Sequence, residues 1–98
     1  MEPPPDPLLR QHRAAILATA RRHGVRSVRV FGSRARGDAA PESDVDLLVE
    51  AGPVRPFFVP GGLVADLEAL LGRHVDVVTP DALHPLLRDA VLREARPL

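Results

Sequence analysis

The sequence contains no cysteine, and this absence excludes disulfide bonds, thiolate zinc sites and cysteine nucleophiles together. It contains no lysine either, so all 13 basic residues are arginine, and 13 acidic residues balance them. With a pI of about 6.9, the whole chain gives no direct indication that it binds nucleic acid or an anionic membrane. Any attraction for phosphate groups must therefore be local.

Long apolar runs and aromatic side chains are also scarce. No apolar segment approaches the ~20 residues needed to span a bilayer, and the first residues, "MEPPPDPLLRQHR", lack the charged and then apolar pattern of a secretion signal. We therefore expect a cytoplasmic protein with no membrane partner. Aromatic residues make up only 3% of the chain, so its core must consist mainly of Leu, Val and Ala.

The length of 98 residues suits one domain, and the pattern of apolar residues predicts an α/β (α+β) fold. The proline-rich residues 1–7 are expected to be flexible, and residues 8–98 are expected to form the single domain. Helical spacing predicts helices over about 7–23 and 61–71 and another in "LLRDAVLREA". Runs rich in valine predict strands in "VRSVRVF", "DVDLLVE" and "HVDVVTP".

The strand-like run "DVDLLVE" opens with two aspartates two residues apart. Side chains alternate between the faces of a strand, so Asp44 and Asp46 point to one side while Val45 and Leu47 point to the other. Two carboxylates this close repel each other, and the repulsion has an obvious use only if a cation lies nearby. Their oxygen atoms suit Mg²⁺ or Mn²⁺. The alternative is that the pair is an ordinary solvated strand end.

Asp76 repeats this arrangement in the third predicted strand, where it stands between Val75 and Val77. Its carboxylate therefore faces away from two valines of the core type, and three acids can converge from two strands. A single acid in a short strand is more often simply exposed, and this alternative also stays open.

The segment "GSRARGD" directly follows the first predicted strand. Gly32 permits close approach of the backbone, Ser33 offers a hydroxyl and an amide, and a short helical turn starting here would aim N–H groups at an anion. Arg34 and Arg36 are candidates for bidentate contacts with phosphate. The alternatives are that Ser33 only caps the turn and that both arginines are solvated.

Two further groups of residues carry weaker signals. The four histidines, His12, His23, His74 and His84, are scattered without the spacing of metal ligands, and we interpret each as a partly buried residue of a helix or strand end. The adjacent Phe57 and Phe58 are either an exposed patch for a partner or part of the core.

"GS" at 32–33, followed after ten residues by "DVD" at 44–46, resembles the signature of the DNA polymerase β-type nucleotidyltransferase superfamily. Within it, the small chain resembles the minimal nucleotidyltransferase (MNT) proteins, often encoded as antitoxins beside a HEPN-domain toxin. The resemblance runs from the helix before "VRVFGSRARGD" to "LLRDAVLREA". It implies a polymerase β-like fold with a small mixed sheet of three to four strands and flanking helices.

The resemblance also implies roles for the candidate residues. Gly32 and Ser33 would hold the phosphates of ATP, the nucleotide donor, while Asp44, Asp46 and Asp76 would be catalytic and would bind two Mg²⁺ ions, or Mn²⁺ in their place. The reaction would transfer a nucleoside monophosphate, expected to be AMP, to a hydroxyl group of a partner protein, expected to be the HEPN toxin. A second hypothesis stays open, in which the chain is a noncatalytic antitoxin that binds nucleotide and neutralises its partner by direct contact.

Overall fold

The computed structural model describes residues 6–51 and 60–98, and Phe57 and Phe58 lie outside them. Its first element is helix α1, Pro7–Arg22, where proline is tolerated because the first N–H of a helix has no partner within it. Asp6 is the N-cap and accepts a hydrogen bond from Leu9 N–H at 3.1 Å. The structure therefore places both Asp6 and Pro7 in the folded domain, so a flexible segment does not extend to residue 7; residues 1–5 are not described.

The remaining elements follow the predicted order closely. They are β1 (Val25–Phe31), α2 (Ser33–Arg36), β2 (Val45–Ala51), α3 (Pro60–Leu71), β3 (Val75–Val78), a 3₁₀ turn (Pro80–Ala82), α4 (Pro85–Glu94) and β4 (Arg96–Pro97). The sequence did not predict β4, because a two-residue strand of arginine and proline has neither alternation nor β-branched residues.

The strands form one sheet in the order β3-β2-β1-β4. Strand β1 runs antiparallel to both β2 and β4, whereas β2 and β3 are parallel. The predicted mixed sheet with flanking helices is therefore confirmed. Strand β2 lies inside the sheet, between two neighbours, so the aspartates at its start have a strand on either side.

Helices α1 and α3 cover one face of the sheet, and the core lies between them and the strands. The strands contribute alternate residues to this core, and the helices contribute residues at helical spacing. Its main members are Leu9, Ile16, Ala20, Val28, Val30, Val45, Leu47, Val49, Leu63, Leu67, Leu71 and Val75. Since Val45 and Leu47 face the core, Asp44 and Asp46 lie on the opposite face.

Helix α4 differs from α1 in having no buried residue, and its Leu86 and Leu87 are exposed. Its first turn is capped by His84, whose Nδ1 accepts a hydrogen bond from Leu86 N–H at 3.1 Å. Within residues 6–51 and 60–98, no helix has the length and apolar character that a membrane span requires.

Candidate active site

The parallel pairing of β2 with β3 brings the predicted acids side by side. Val45 pairs with Val75, and Asp46 pairs with Asp76. The same register extends one residue back, to Asp44 and His74, since Val45 N–H donates to His74 O at 2.9 Å. Alternation then places Asp44, Asp46, His74 and Asp76 on one face of the two strands, opposite to the core.

Asp46 lies in the interior of this group and is half-buried, whereas Asp44 and Asp76 are exposed. Burial raises the pKa of the Asp46 carboxyl above its ordinary value, and the negative charges of Asp76 and Asp44 raise it further. The charges of Asp44 and Asp76 therefore oppose ionisation of Asp46 in the metal-free protein. A bound cation would remove this opposition, because it would attract all three charges.

The donor atoms of the group fit a divalent cation. One atom each from Asp44, His74 and Asp76 lies within 4.8 Å of the other two. Two carboxylates and an imidazole are all metal ligands in proteins, and the neighbouring Asp46 adds a third carboxylate. The residues present therefore suit the ion that the sequence signature implies, although their roles as ligands stay predictions.

Gly32 connects the "GS" segment to this acidic group. Antiparallel pairing puts Phe31 opposite Asp46, so β1 ends directly beside the aspartates. Gly32 follows with a φ of +75°, and a Cβ atom placed on it would lie 2.4 Å from Asp46 Oδ2. Both observations require glycine, because other residues avoid this φ and any side chain would collide with the carboxylate.

The predicted short helical turn is present as α2, which begins at Ser33 with Gly32 as its N-cap. The backbone N–H groups of Ala35 and Arg36 donate to Gly32 O, which leaves the amides of the first two helical positions outside the helical bonding pattern. These amides belong to Ser33 and Arg34. Binding of nucleotide phosphates by Gly32 and Ser33 remains a prediction.

Arg34 has a different role from the predicted one. The residue is 2% exposed, and Nη1 of its guanidinium donates to both carboxylate oxygens of Asp6 at 2.9 and 3.0 Å. Nε and Nη2 donate to Ser43 O at 3.2 and 2.7 Å, and Nη2 also donates to Pro41 O at 3.0 Å. All three nitrogens of the guanidinium thus have partners within the buried loop, so the group is not available to a phosphate.

The contacts of Arg34 instead hold the loop that leads into Asp44. Its guanidinium joins the start of α1, through Asp6, to the carbonyl groups of Pro41 and Ser43. We infer that Arg34 is a positioning residue, because it fixes the chain one residue before Asp44. Its burial could not be predicted, since the partner acid lies 28 residues away in the chain.

Arg36 is half exposed and lies at the edge of the site. It forms ion pairs with Asp38 at 3.3 Å and with Glu94 of α4. Hydrogen bonding to Glu94 is the main cause that raises the pKa of the guanidinium, and hydrogen bonding to Asp38 is the next largest. The predicted contact of Arg36 with phosphate stays a prediction.

His74 is a residue of the site that the sequence reasoning missed. It is exposed rather than partly buried; its Nε2 lies 3.2 Å from Asp76 Oδ1 and its Nδ1 lies 3.0 Å from Glu68 Oε2. The charge of Asp76 is the main cause that raises the pKa of the His74 imidazole. The signal was present, because His74 precedes Asp76 by two residues and therefore shares its face, as Asp44 shares that of Asp46.

Comparison with known proteins places these features in a family. The model of the nucleotidyltransferase domain matches residues 12–98. A candidate protein adenylyltransferase of Methanocaldococcus jannaschii is 41% identical over 80 residues, covering 82% of this chain and 86% of the relative. Protein adenylyltransferase MntA of Thermococcus cleftensis is 44% identical over 73 residues, covering 74% of each chain.

Solved structures agree with this placement. A structure described as a candidate minimal nucleotidyltransferase is 50% identical, covers 92% of each chain and has a TM-score of 0.77. A more distant structure, of a toxin–antitoxin with AMP-PNP, is 22% identical, covers 86% of this chain and 69% of the other, and has a TM-score of 0.71. The second likeness shows a shared fold only.

Proposed function

Because this chain belongs to the nucleotidyltransferase domain family, we propose that it transfers AMP from ATP to a hydroxyl group of a partner protein. The observation that carries this proposal is the register of β2 and β3, which aligns Asp46 with Asp76 and puts Asp44 on the same face. A module that only covered a partner would have no physical need for three carboxylates placed side by side, which repel one another.

The proposed cofactor is Mg²⁺, with Mn²⁺ as an alternative, held by Asp44, Asp46 and Asp76. When bound, two such ions would stabilise the attacking oxygen and the leaving pyrophosphate. The protein residues would contribute position and charge, since phosphoryl transfer requires little covalent chemistry from the enzyme. The absence of a side chain at Gly32 lets the backbone lie beside Asp46, so that ATP phosphates at Ser33 would be close to the carboxylates.

The reaction forms a bond between the acceptor oxygen and the α-phosphorus of ATP and breaks the bond between that phosphorus and the leaving pyrophosphate. The acceptor proton must go to a base. Asp76 is the proposed base, because its carboxylate is exposed at the edge of the group and is therefore within reach of an incoming hydroxyl.

The proposed acceptor is a tyrosine of a HEPN-domain toxin, with serine or threonine as the alternative. The 98 residues contain no tyrosine, so a tyrosine acceptor must be supplied from outside them. Two observations support a protein partner: the relative from Thermococcus cleftensis is named a protein adenylyltransferase, and the distant structural neighbour is a toxin–antitoxin. An added AMP would put a bulky anion near the RNA-cleaving site of the toxin and repel the phosphates of its substrate. Use of ATP in this reaction also agrees with the expected cytoplasmic location.

The test is intact-mass analysis of the purified partner after incubation with this protein, ATP and Mg²⁺. We expect a mass gain equal to one AMP or a multiple of it, and loss of the partner's ribonuclease activity that persists after the two proteins are separated. The matched control is Asp44→Ala, which should give no mass gain because it removes an exposed carboxylate of the site without disturbing the core.

The same experiment tests the noncatalytic hypothesis. A partner inhibited equally by the wild type and by Asp44→Ala, with no change of mass, would overturn the enzymatic proposal. Inhibition would then depend on direct contact and would end when the complex dissociates.

A further inference from the structure

We propose that His74 is a metal ligand beside Asp44 and Asp76, and that this mixed nitrogen and oxygen site binds a first-row transition cation in preference to Mg²⁺. The inference rests on the proposed function, because it concerns the identity of an ion at the same group of carboxylates. It adds a ligand that the "GS" and "DVD" signature does not contain.

The first support is the convergence of the three donor atoms. They lie within 4.8 Å of one another, and all three side chains are exposed. Ligand atoms held at about 2.1 Å from one ion are at most about 4.2 Å apart, so small rotations of solvent-exposed side chains bring all three to bonding distance. The backbone keeps its place, because the pairing of β2 with β3 already puts Asp44 beside His74.

The second support is the partner of the other ring nitrogen. A histidine that ligates a metal commonly donates its second N–H to a carboxylate, which fixes the tautomer and the orientation of the ring. Nδ1 of His74 lies 3.0 Å from Glu68 Oε2, while Nε2 points toward Asp76. Glu68 is itself held in place, since its Oε2 accepts a hydrogen bond from Val75 N–H at 3.0 Å.

These contacts determine which nitrogen faces the ion. With Nδ1–H donated to Glu68, the lone pair of Nε2 is directed at the space beside Asp76, where a cation would replace the present contact between the two side chains. Glu68 lies on α3 and is not among the residues whose donor atoms converge, so it orients the ring without competing for the ion. We assign Glu68 as a positioning residue and His74 as the ligand.

The preference for a transition cation follows from the chemistry of the nitrogen donor. Mg²⁺ takes oxygen ligands and retains water readily, so it gains little from an imidazole. Imidazole nitrogen binds well to divalent ions of the first transition row, Zn²⁺ included. A site of three carboxylates alone would discriminate less between Zn²⁺ and Mg²⁺, and the nitrogen of His74 would increase the difference.

The test is calorimetric titration of the intact chain with Zn²⁺ and, separately, with Mg²⁺, in the absence of nucleotide. The variants are His74→Gln and, as a matched control, His12→Gln on α1. We expect His74→Gln to weaken Zn²⁺ binding at least about tenfold. The control variant His12→Gln should bind Zn²⁺ as tightly as the wild type. Equal Zn²⁺ affinity in all three proteins would overturn the proposal.

A second measurement needs no substitution of His74. In nitrogen NMR spectra of the wild type, Zn²⁺ should shift the Nε2 resonance of His74, with Nδ1 remaining protonated, and should leave His12 unchanged. Glu68→Gln should weaken Zn²⁺ binding about 10-fold to 100-fold, because the ring loses its charged acceptor. A Zn²⁺-saturated protein in which the His74 resonances do not move would contradict a ligand role and would identify the histidine as a simple counter-ion of Asp76.

The two proposals fail in different ways. If the partner gains no AMP while Zn²⁺ still binds through Nε2 of His74, the transfer proposal is wrong and the ligand assignment stands. If AMP transfer occurs while His74→Gln binds Zn²⁺ as tightly as the wild type, the ligand assignment is wrong and the transfer proposal stands.

Discussion

Two influences act on the carboxyl group of Asp46, because it is half-buried and lies near two other carboxylates. Its pKa is raised in the folded protein, so the folded state binds the Asp46 proton more tightly than the unfolded state does. Between the ordinary pKa, about 3.9, and the raised value, the stability of the metal-free protein must therefore fall as the pH rises. A neutral side chain of the same shape would lack this loss.

We predict that Asp46→Asn abolishes AMP transfer and leaves the fold intact. We also expect the metal-free variant to melt at a higher temperature than the wild type at pH 7, and the difference to disappear as the pH falls below about 4, where Asp46 becomes protonated in both states. Circular dichroism melts at several pH values, compared with turnover, check both expectations. Near-wild-type transfer by this variant would contradict the assignment of Asp46 to the metal site.

Arg34 shows how strongly a buried ion pair depends on both partners. We predict that Arg34→Met destabilises the protein by about 3–5 kcal/mol, because Asp6 then remains buried without its counter-charge and the carbonyl groups of the loop lose their donors. Urea denaturation measures this change. Arg36→Met is the matched control, and its effect should be much smaller because that guanidinium is half exposed.

A second variant separates charge from packing at this pair. Asp6→Asn together with Arg34→Met should recover part of the lost stability, since it removes the unpaired carboxylate but keeps a capping side chain for α1. A double variant no more stable than Arg34→Met would show that the loop contacts of Arg34, rather than its pair with Asp6, account for the loss.

At the scale of secondary-structure elements, the junction of β1 with α2 determines how close the backbone comes to the aspartates. We predict that Gly32→Ala destabilises the protein by about 1–3 kcal/mol, because its φ of +75° is unfavourable for alanine. We also expect loss of AMP transfer, because the new Cβ would lie only 2.4 Å from Asp46 Oδ2 and would push the carboxylate out of place. Thermal melts and the mass assay measure the two effects separately.

Gly61→Ala in α3 is the control for Gly32→Ala. A Cβ atom there meets nothing within 4 Å, and alanine favours the helix more than glycine does. Its stability should equal or exceed that of the wild type, with full transfer activity. If both variants behaved alike, the close contact between Gly32 and Asp46 would have no functional consequence.

At the scale of the whole molecule, the apolar core and the acidic group lie on opposite faces of the sheet. The core residues that the structure describes between the sheet and helices α1 and α3 are all apolar, so we expect folding not to depend on a cation. We predict that the protein keeps its secondary structure in EDTA. Unfolding by EDTA alone would contradict this separation.

Ligands that bind only the folded state should raise its stability by mass action. We predict that Mg²⁺ with ATP increases the melting temperature and that chelation reverses the increase, with a gain of about 2.7 kcal/mol at a ligand concentration 100 times the Kd. Differential scanning fluorimetry with Mg²⁺, with ATP and with both checks this. No shift with both ligands present would contradict nucleotide binding.

Much of the fold and part of the candidate site could be predicted from the sequence, because the relevant physics is local. Alternation along a strand is enough to put Asp44 and Asp46 on one face and Val45 and Leu47 in the core. Helical spacing and the glycines after the helices were enough to predict three of the helices within a few residues of their ends. The short turn after Gly32 also followed from neighbouring residues alone.

Only the tertiary structure decided which distant residues meet. The register of β2 with β3 aligns Asp46 with Asp76 and brings His74 beside Asp44, and no local rule specifies a register between strands joined by a long connection. Likewise, Arg34 looks like a solvated arginine until Asp6 is placed against it. Alternation depends only on one strand and its side chains, so the sequence was enough to predict which residues share a face. Burial and pairing depend on where the rest of the chain folds back, so the partners of those residues could not be predicted.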